Sequence, residues 1–365
     1  MRTEEDQTTP PSYCSSPAAY YPPWVLLMRH GMIKVEDEDE DPSSSMTKAQ
    51  TLVAARTFAG DPIQVYLHLS DPPATSAVIF SQPLDNHYTG SCNILAAHRD
   101  SLLIQVSDEG IHKRRRTIDS FVYNAGDAAA DPPRPPSLYL LPPYRPTDEE
   151  KIRCGSSCWD TNLDLEPHAT GMLRRVVADE VVVAELLMVA SSDDMLEPDV
   201  AELFLFRCGE WSVKRPQISY GRRDFGELPA LWTTDTVIPV GDRLLCWVDL
   251  SCGVLLYDVF EENSRLMFLP LPMDPCYGQE SNRNVCVTDG GKALKFVNIF
   301  PRCCCGGEGA VGCHRSLDAY TINTWTMRMS DMVWVKDGMV DATELWGLND
   351  YKSLSLPRVM PTYPV

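Results

Sequence analysis

Three things are scarce in this sequence. The first is an apolar leader or anchor. Residues 1–20 carry Glu4, Glu5, Asp6 and Gln7 and no hydrophobic segment, so no secretory signal is expected. The apolar run nearest the start, residues 24–28, is far too short to span a bilayer. The second is positive charge. Lys and Arg number 32 against 51 Asp and Glu, a formal net charge of −19. That field repels a nucleic-acid backbone, so neither nucleic acid nor a membrane is expected as a partner. The third is a catalytic signature. There is no Gly-x-Ser-x-Gly elbow, no His-Glu-x-x-His and no P-loop, and no Asn-x-Ser/Thr glycosylation acceptor. The 13 cysteines are odd in number and scattered. Without an export signal they read as reduced thiols of a cytoplasmic or nuclear protein.

What is present is strand pattern. Hydrophobic residues make up 44% of the chain, enough for a core, and 29 prolines punctuate many short apolar runs. One triplet of runs occurs twice: residues 244–250, 254–260 and 266–272, and residues 102–107, 121–125 and 138–143. Each triplet follows an aspartate, Asp242 or Asp100, keeps a tyrosine in its middle run, Tyr257 or Tyr123, and ends in an aliphatic-Pro tail. A repeated three-strand unit cannot bury both its faces alone, which predicts an all-β, irregular, propeller-like architecture. A large β-sandwich is the alternative. Two further clusters, residues 181–214 and 293–329, share a long apolar strand, a loop and a shorter strand, then a tight turn before Trp211 or Trp325. That makes four blade-like units, with room for two or three more before Asp100 and after Val333.

The predicted organisation is a disordered segment over residues 1–21 and a single domain over residues 22–365. An acidic loop lies at 36–46, and the final sheet is expected to lack a strand or to be closed by the N-terminal segment. Residues 63–69 alternate with period two and predict a strand; residues 47–57 lean to strand or coil. Leu244, Cys246, Val248, Leu255 and Tyr257 are the expected core of the most regular unit. The tryptophans, among them Trp211, Trp232, Trp247, Trp325, Trp334 and Trp346, are read as core rather than as a stacking platform.

Several motifs together resemble a known family. They are Trp24-Val25-Leu26-Leu27, Ala97-His98 before Asp100-Ser101-Leu102-Leu103, the middle motif Val240-Gly241-Asp242-Arg243-Leu244-Leu245-Cys246-Trp247-Val248-Asp249-Leu250, Gly253 to Val259, and the closing Pro361-Thr362-Tyr363-Pro364-Val365. The chain resembles the plant proteins, chiefly of grasses, that carry domain of unknown function 1618. The resemblance implies no activity, cofactor or catalytic residue. It implies a further apolar strand after the Tyr-Pro-Val motif, where this chain stops.

Chemistry-bearing motifs are few. Gly307-x-Gly309-x-x-Gly312 matches a dinucleotide fingerprint by letter, but three cysteines precede it and a strand follows, where the chemistry needs a strand before and a helix N-terminus after. His98-Arg99-Asp100 and Asp224-Phe225-Gly226 look kinase-like but lack the remaining kinase elements. Cys303, Cys305, Cys313 and His314 form the one candidate metal cluster. Neighbouring side chains in extended chain point apart, so the adjacent cysteines 303–305 are poor tetrahedral ligands, and the expectation is no metal and no disulfide there. The basic run at residues 112–116 reads as an exposed hairpin, with nuclear import or phosphate contact as the alternative. The sequence thus assigns no catalytic residue, no cofactor and no metal. It predicts a non-enzymatic scaffold that binds other proteins through irregular loops on one face. The alternative is a hydrolase or lyase with a polar pocket at the centre of the repeat.

Overall fold

In the computed structural model, the described residues are 24–33, 51–81, 90–108, 117–126, 132–144, 164–175, 178–189, 200–220, 228, 232–273, 280–301, 319–362 and 364. Of these, 58% are strand and 7% helix, so the protein is all-β. The strands form five small sheets rather than the two large ones of a sandwich.

Sheet 1 holds β1 (Leu26–Leu27), β2 (Met32–Ile33), β3 (Val53–Arg56), β4 (Pro62–His68) and β5 (Thr75–Ser81), in the order β1-β5-β4-β3 with β2 also on β5. Sheet 2 is β6 (Ser91–His98), β7 (Ser101–Asp108), β8 (Thr117–Asn124) and β9 (Ser137–Leu140). Sheet 3 is β10 (Thr170–Arg175), β11 (Glu180–Val189), β12 (Val200–Arg207) and β13 (Glu210–Lys214). Sheet 4 is β15 (Thr236–Val240), β16 (Leu244–Asp249), β17 (Gly253–Asp258) and β18 (Leu266–Pro270), with β14 (Ile218–Tyr220) parallel to β18 at its edge. Sheet 5 is β19 (Arg283–Thr288), β20 (Ala293–Pro301), β21 (Tyr320–Arg328) and β22 (Trp334–Asp341). Two short helices follow, α1 (Ala342–Gly347) and α2 (Asn349–Ser353). Asp341 caps α1 by accepting the Thr343 amide.

Sheets 2 to 5 are consecutive antiparallel meanders, and neighbouring sheets meet through their first strands: β6 beside β10, β10 beside β15, β15 beside β19. A separate apolar core fills each junction. Val65 and Phe80 meet Ile104 and Phe121 between sheets 1 and 2; Leu103 and Val122 meet Met172 and Val183 between sheets 2 and 3. Leu186 and Leu203 meet Trp247 and Leu255 between sheets 3 and 4; Cys246 and Val254 meet Leu294 and Phe296 between sheets 4 and 5. Sheet 4 is therefore covered on both faces. Leu245 and Trp247 point toward sheet 3, and Cys246 and Val248 toward sheet 5. Burial on both faces is why the sequence of β16 reads as a continuous apolar run rather than an alternating one.

The triplets are each completed by a preceding strand, β6 or β15, so the unit has four strands, not three. The aspartates mark a recurring turn. Asp100, Asp179, Asp242 and Asp289 all lie between the first and second strands of sheets 2, 3, 4 and 5. In sheets 4 and 5 these turns touch: a Cβ on Gly291 would come within 2.5 Å of the Cα of Gly241, and both residues have positive φ.

Several expectations need correcting. The turn expected before Trp325 is absent: β21 runs unbroken through Asn323 and Thr324, with a bulge between Thr324 and Trp325, and Asn323 pairs with Asn298 inside the ladder. After residue 333 the described chain adds one strand and two short helices, not further sheets. The N-terminal strands join sheet 1, not the last sheet. Of the five expected core residues, Cys246, Val248, Leu255 and Tyr257 are buried, but Leu244, at the mouth of β16, is only half-buried. Among the named tryptophans, Trp247 is fully buried and the others are half-buried.

Candidate functional site

The cysteine cluster of Cys303, Cys305, Cys313 and His314, the glycine motif at 307–312, Asp224 to Gly226, the basic run at 112–116 and the acidic run at 36–41 all lie outside the described residues. So do most of the loops expected to form a binding face. Among the described residues no group of three or more His, Cys, Asp or Glu side chains is arranged to hold a metal ion, and no helix is long and apolar enough to cross a membrane.

His98 and Asp100 are described, and they belong to a polar junction between sheets 2 and 3. Arg174 donates its amide to His98 Nδ1 at 2.8 Å and its guanidinium to Asp179 at 2.5 Å; it also lies 3.8 Å from Asp100. Arg134 also reaches Asp100, at 3.5 Å. Burial and the neighbouring Arg99 charge lower the His98 pKa to about 4, against the pull of Asp100. The ring is thus neutral at pH 7 and acts as a hydrogen-bond acceptor for the backbone of β10. This geometry ties two sheets together. A similar tie joins sheets 3 and 4: Glu180 holds Arg207 at 2.8 Å and Arg175 at 3.6 Å, and both guanidinium groups stack on Phe260, at 4.8 and 4.4 Å.

A third polar feature lies at one end of the core between sheets 4 and 5. Arg283, Asn298 and Asn323 stand side by side across β19, β20 and β21, all buried. Arg283 donates to the Leu250 carbonyl at 2.7 Å. Asn298 donates to the Met273 sulfur at 2.9 Å, while its Oδ1 and that of Asn323 have no hydrogen-bond partner in the structure.

Residues 247–365 match the family model described as Protein of unknown function (DUF1618). The match supports the family resemblance of the chain. The DUF1618 stretch opens inside β16 and takes in β17 and β18 of sheet 4, all of sheet 5, both helices and the tail. No curated protein and no solved structure matches the chain. The DUF1618 description carries no activity, so function has to be argued from surface and chemistry.

Two described stretches depart from an ordinary polar surface: the C-terminal one, where Val335, Met339, Leu348 and Leu354 are exposed, and the N-terminal strands, whose backbone is tied to two sheets. Within residues 24–33, Trp24 (57%), Met28 (41%), Met32 (50%) and Ile33 (41%) are exposed, together with Val25 and Leu26. The backbone beneath them is fixed. β1 and β2 run parallel to β5, while the link between them crosses to sheet 2: Gly31 donates to the Cys92 carbonyl and Ile94 to the Arg29 carbonyl, each at 2.8 Å. His30 pairs with the Asn93 side chain at 2.7 Å. An apolar patch on a segment held by backbone bonds carries no side-chain desolvation cost from charges and little ordering cost on binding. The sequence predicts a strand over residues 24–28 but not a surface. The available signal was seven large apolar residues in ten positions next to a strongly acidic run.

Proposed function

We propose that the protein is a non-enzymatic interaction scaffold, an irregular propeller-like array of sheets that docks another protein on the apolar row of residues 24–33. The carrying observation is the exposure of Trp24, Met28, Met32 and Ile33 on a segment whose two short strands pair with β5 and whose link is bonded to β6. Rows of this kind on soluble proteins mark interaction sites. The cytoplasm or nucleus is the proposed compartment. Five described cysteines, Cys92, Cys208, Cys246, Cys252 and Cys286, are free thiols, which supports a reducing environment. Burial pushes the Cys92 thiol up to about 12 and raises Cys246 and Cys252 further, so these three are inert packing residues. The test is co-purification from native cells with the wild-type chain and with a Trp24→Asp, Met28→Asp, Met32→Asp variant. The reading expects discrete proteins that the variant loses while keeping its thermal midpoint. An unchanged set of proteins refutes it.

A further inference from the structure

The chain approaches β10 through residues 164–169, and the start of this segment is gripped from both sheets it separates. From sheet 2, Gln105 on β7 donates its Nε2 to Asp164 Oδ1 at 3.2 Å and to the Leu165 carbonyl at 3.3 Å. From sheet 3, Glu185 on β11 accepts the Glu166 amide at 2.7 Å. Between these two clasps Leu165, 1% exposed, plugs the core shared by Leu103, Val122, Met172 and Val183.

The Glu185 clasp is chemically unusual. Its side chain is 1% exposed, and its second oxygen, Oε2, is buried with no hydrogen-bond partner in the structure. The charges that act on it come from the strap itself: Glu166 and Asp164, both acids. β10 places Thr170 opposite it, and sheet 2 brings the neutral carboxamide of Gln105 to the same segment. A carboxylate in this position is desolvated and repelled; a neutral carboxyl is not. Burial first, with the Glu166 and Asp164 charges, outweighs the favourable Glu166 amide bond and raises its pKa to about 7.

We propose that residues 164–166 form a pH-sensitive strap between sheets 2 and 3, held shut while Glu185 keeps its proton and loosened when Glu185 ionises. The sign follows from linkage. The closed state binds a proton that the open, hydrated state releases near the ordinary value of 4.5. The clasp is therefore at full strength below about pH 4.5, weakens about tenfold per pH unit as the pH rises, and has lost that contribution above about 7. Release withdraws Leu165 from the core. Leu165 also lines a cavity of about 20 Å³ with Leu141, Tyr144, Trp211 and Phe58, so opening the strap joins that cavity to an apolar cleft. Acidification closes the cleft; neutral and alkaline conditions free it.

Amide hydrogen exchange on the full chain tests this, read on peptides covering residues 164–170 and corrected for intrinsic exchange rates. The strap peptide is expected to lose protection by about tenfold per pH unit between about 5 and 7, then level off. Peptides from β20 are expected to stay flat. Glu185→Gln keeps an acceptor for the Glu166 amide and removes the titration, so its strap protection is expected not to depend on pH. Gln105→Ala removes the other clasp and is expected to lower protection at every pH while leaving the slope. A flat wild-type profile, or a slope retained in Glu185→Gln, overturns the proposal. Should Glu185→Gln not fold, a pH-difference infrared spectrum of the wild-type protein reads the buried carboxyl directly. Titration near 7 upholds the strap, and a carboxyl fully ionised by pH 5 overturns it.

Discussion

The junction between sheets 3 and 4 can be tested with one methyl group. Gly171 on β10 pairs with Ala184 and faces sheet 4 so closely that a Cβ would lie 2.5 Å from Val237 Cγ1, 3.2 Å from Val237 Cβ and 3.3 Å from Leu245 Cδ2. Its backbone is not in the left-handed region, so alanine meets no conformational strain there and gains about 0.4–1 kcal/mol through the unfolded chain. The steric term runs the other way. Carbon atoms prefer separations of about 3.5–4.0 Å, so β15 has to move by about 1 Å or Val237 has to leave its rotamer, and a β-branched side chain has few alternatives. Overpacking of this kind costs about 1–3 kcal/mol. The net expectation for Gly171→Ala is a loss of about 1–2 kcal/mol, measured by urea unfolding with an unchanged m-value. Val237→Ala removes the colliding methyl groups. The double variant is expected to recover about 1 kcal/mol relative to the sum of the single changes. A Gly171→Ala protein as stable as wild type, or strictly additive double-variant energies, would refute the close packing of sheets 3 and 4.

Other outcomes follow from burial and charge. Leu255→Ala empties a fully buried site and is expected to cost about 2–5 kcal/mol, whereas Leu244→Ala, at a half-buried position, is expected to cost under about 2 kcal/mol; denaturant titration of both checks the order. His98 has its folded pKa depressed from 6.5 to about 4, so its contribution is present above about 6.5 and is lost as the pH falls through 4. Thermal midpoints between pH 7 and 4 are expected to fall less steeply in His98→Gln, and parallel profiles would show that His98 does not carry that proton linkage.

Where the sequence could be read, it was the doubly covered strands that spoke. The runs that became β7, β11, β16 and β17 are continuous and apolar because a sheet lies on each side. The inner strands were missed for the opposite reason. β10 ends in Arg174 and Arg175, and β19 begins at Arg283; these charges look like loop chemistry until Asp179, Glu180 and the Leu250 carbonyl are brought to them across the fold. The turn wrongly expected before Trp325 rested on Asn323-Thr324, a turn-like pair that here is paired and partly buried in a ladder. The strap was hidden in a polar stretch, yet one signal for it was visible: Glu185 is the only acid in the ten apolar-rich residues 181–190. A lone carboxyl in such a run is either exposed by the pleat or buried at a cost, and only the second sheet decides which.

The scaffold reading stands or falls on residues 24–33 as a contact surface. A photoreactive benzophenone amino acid placed at Met32, 50% exposed, and, as a control, at Tyr220, 44% exposed, reads that surface in intact cells. The account expects a discrete protein adduct from position 32 that is absent from position 220. Identical adduct patterns at the two positions, or none at position 32, would contradict it.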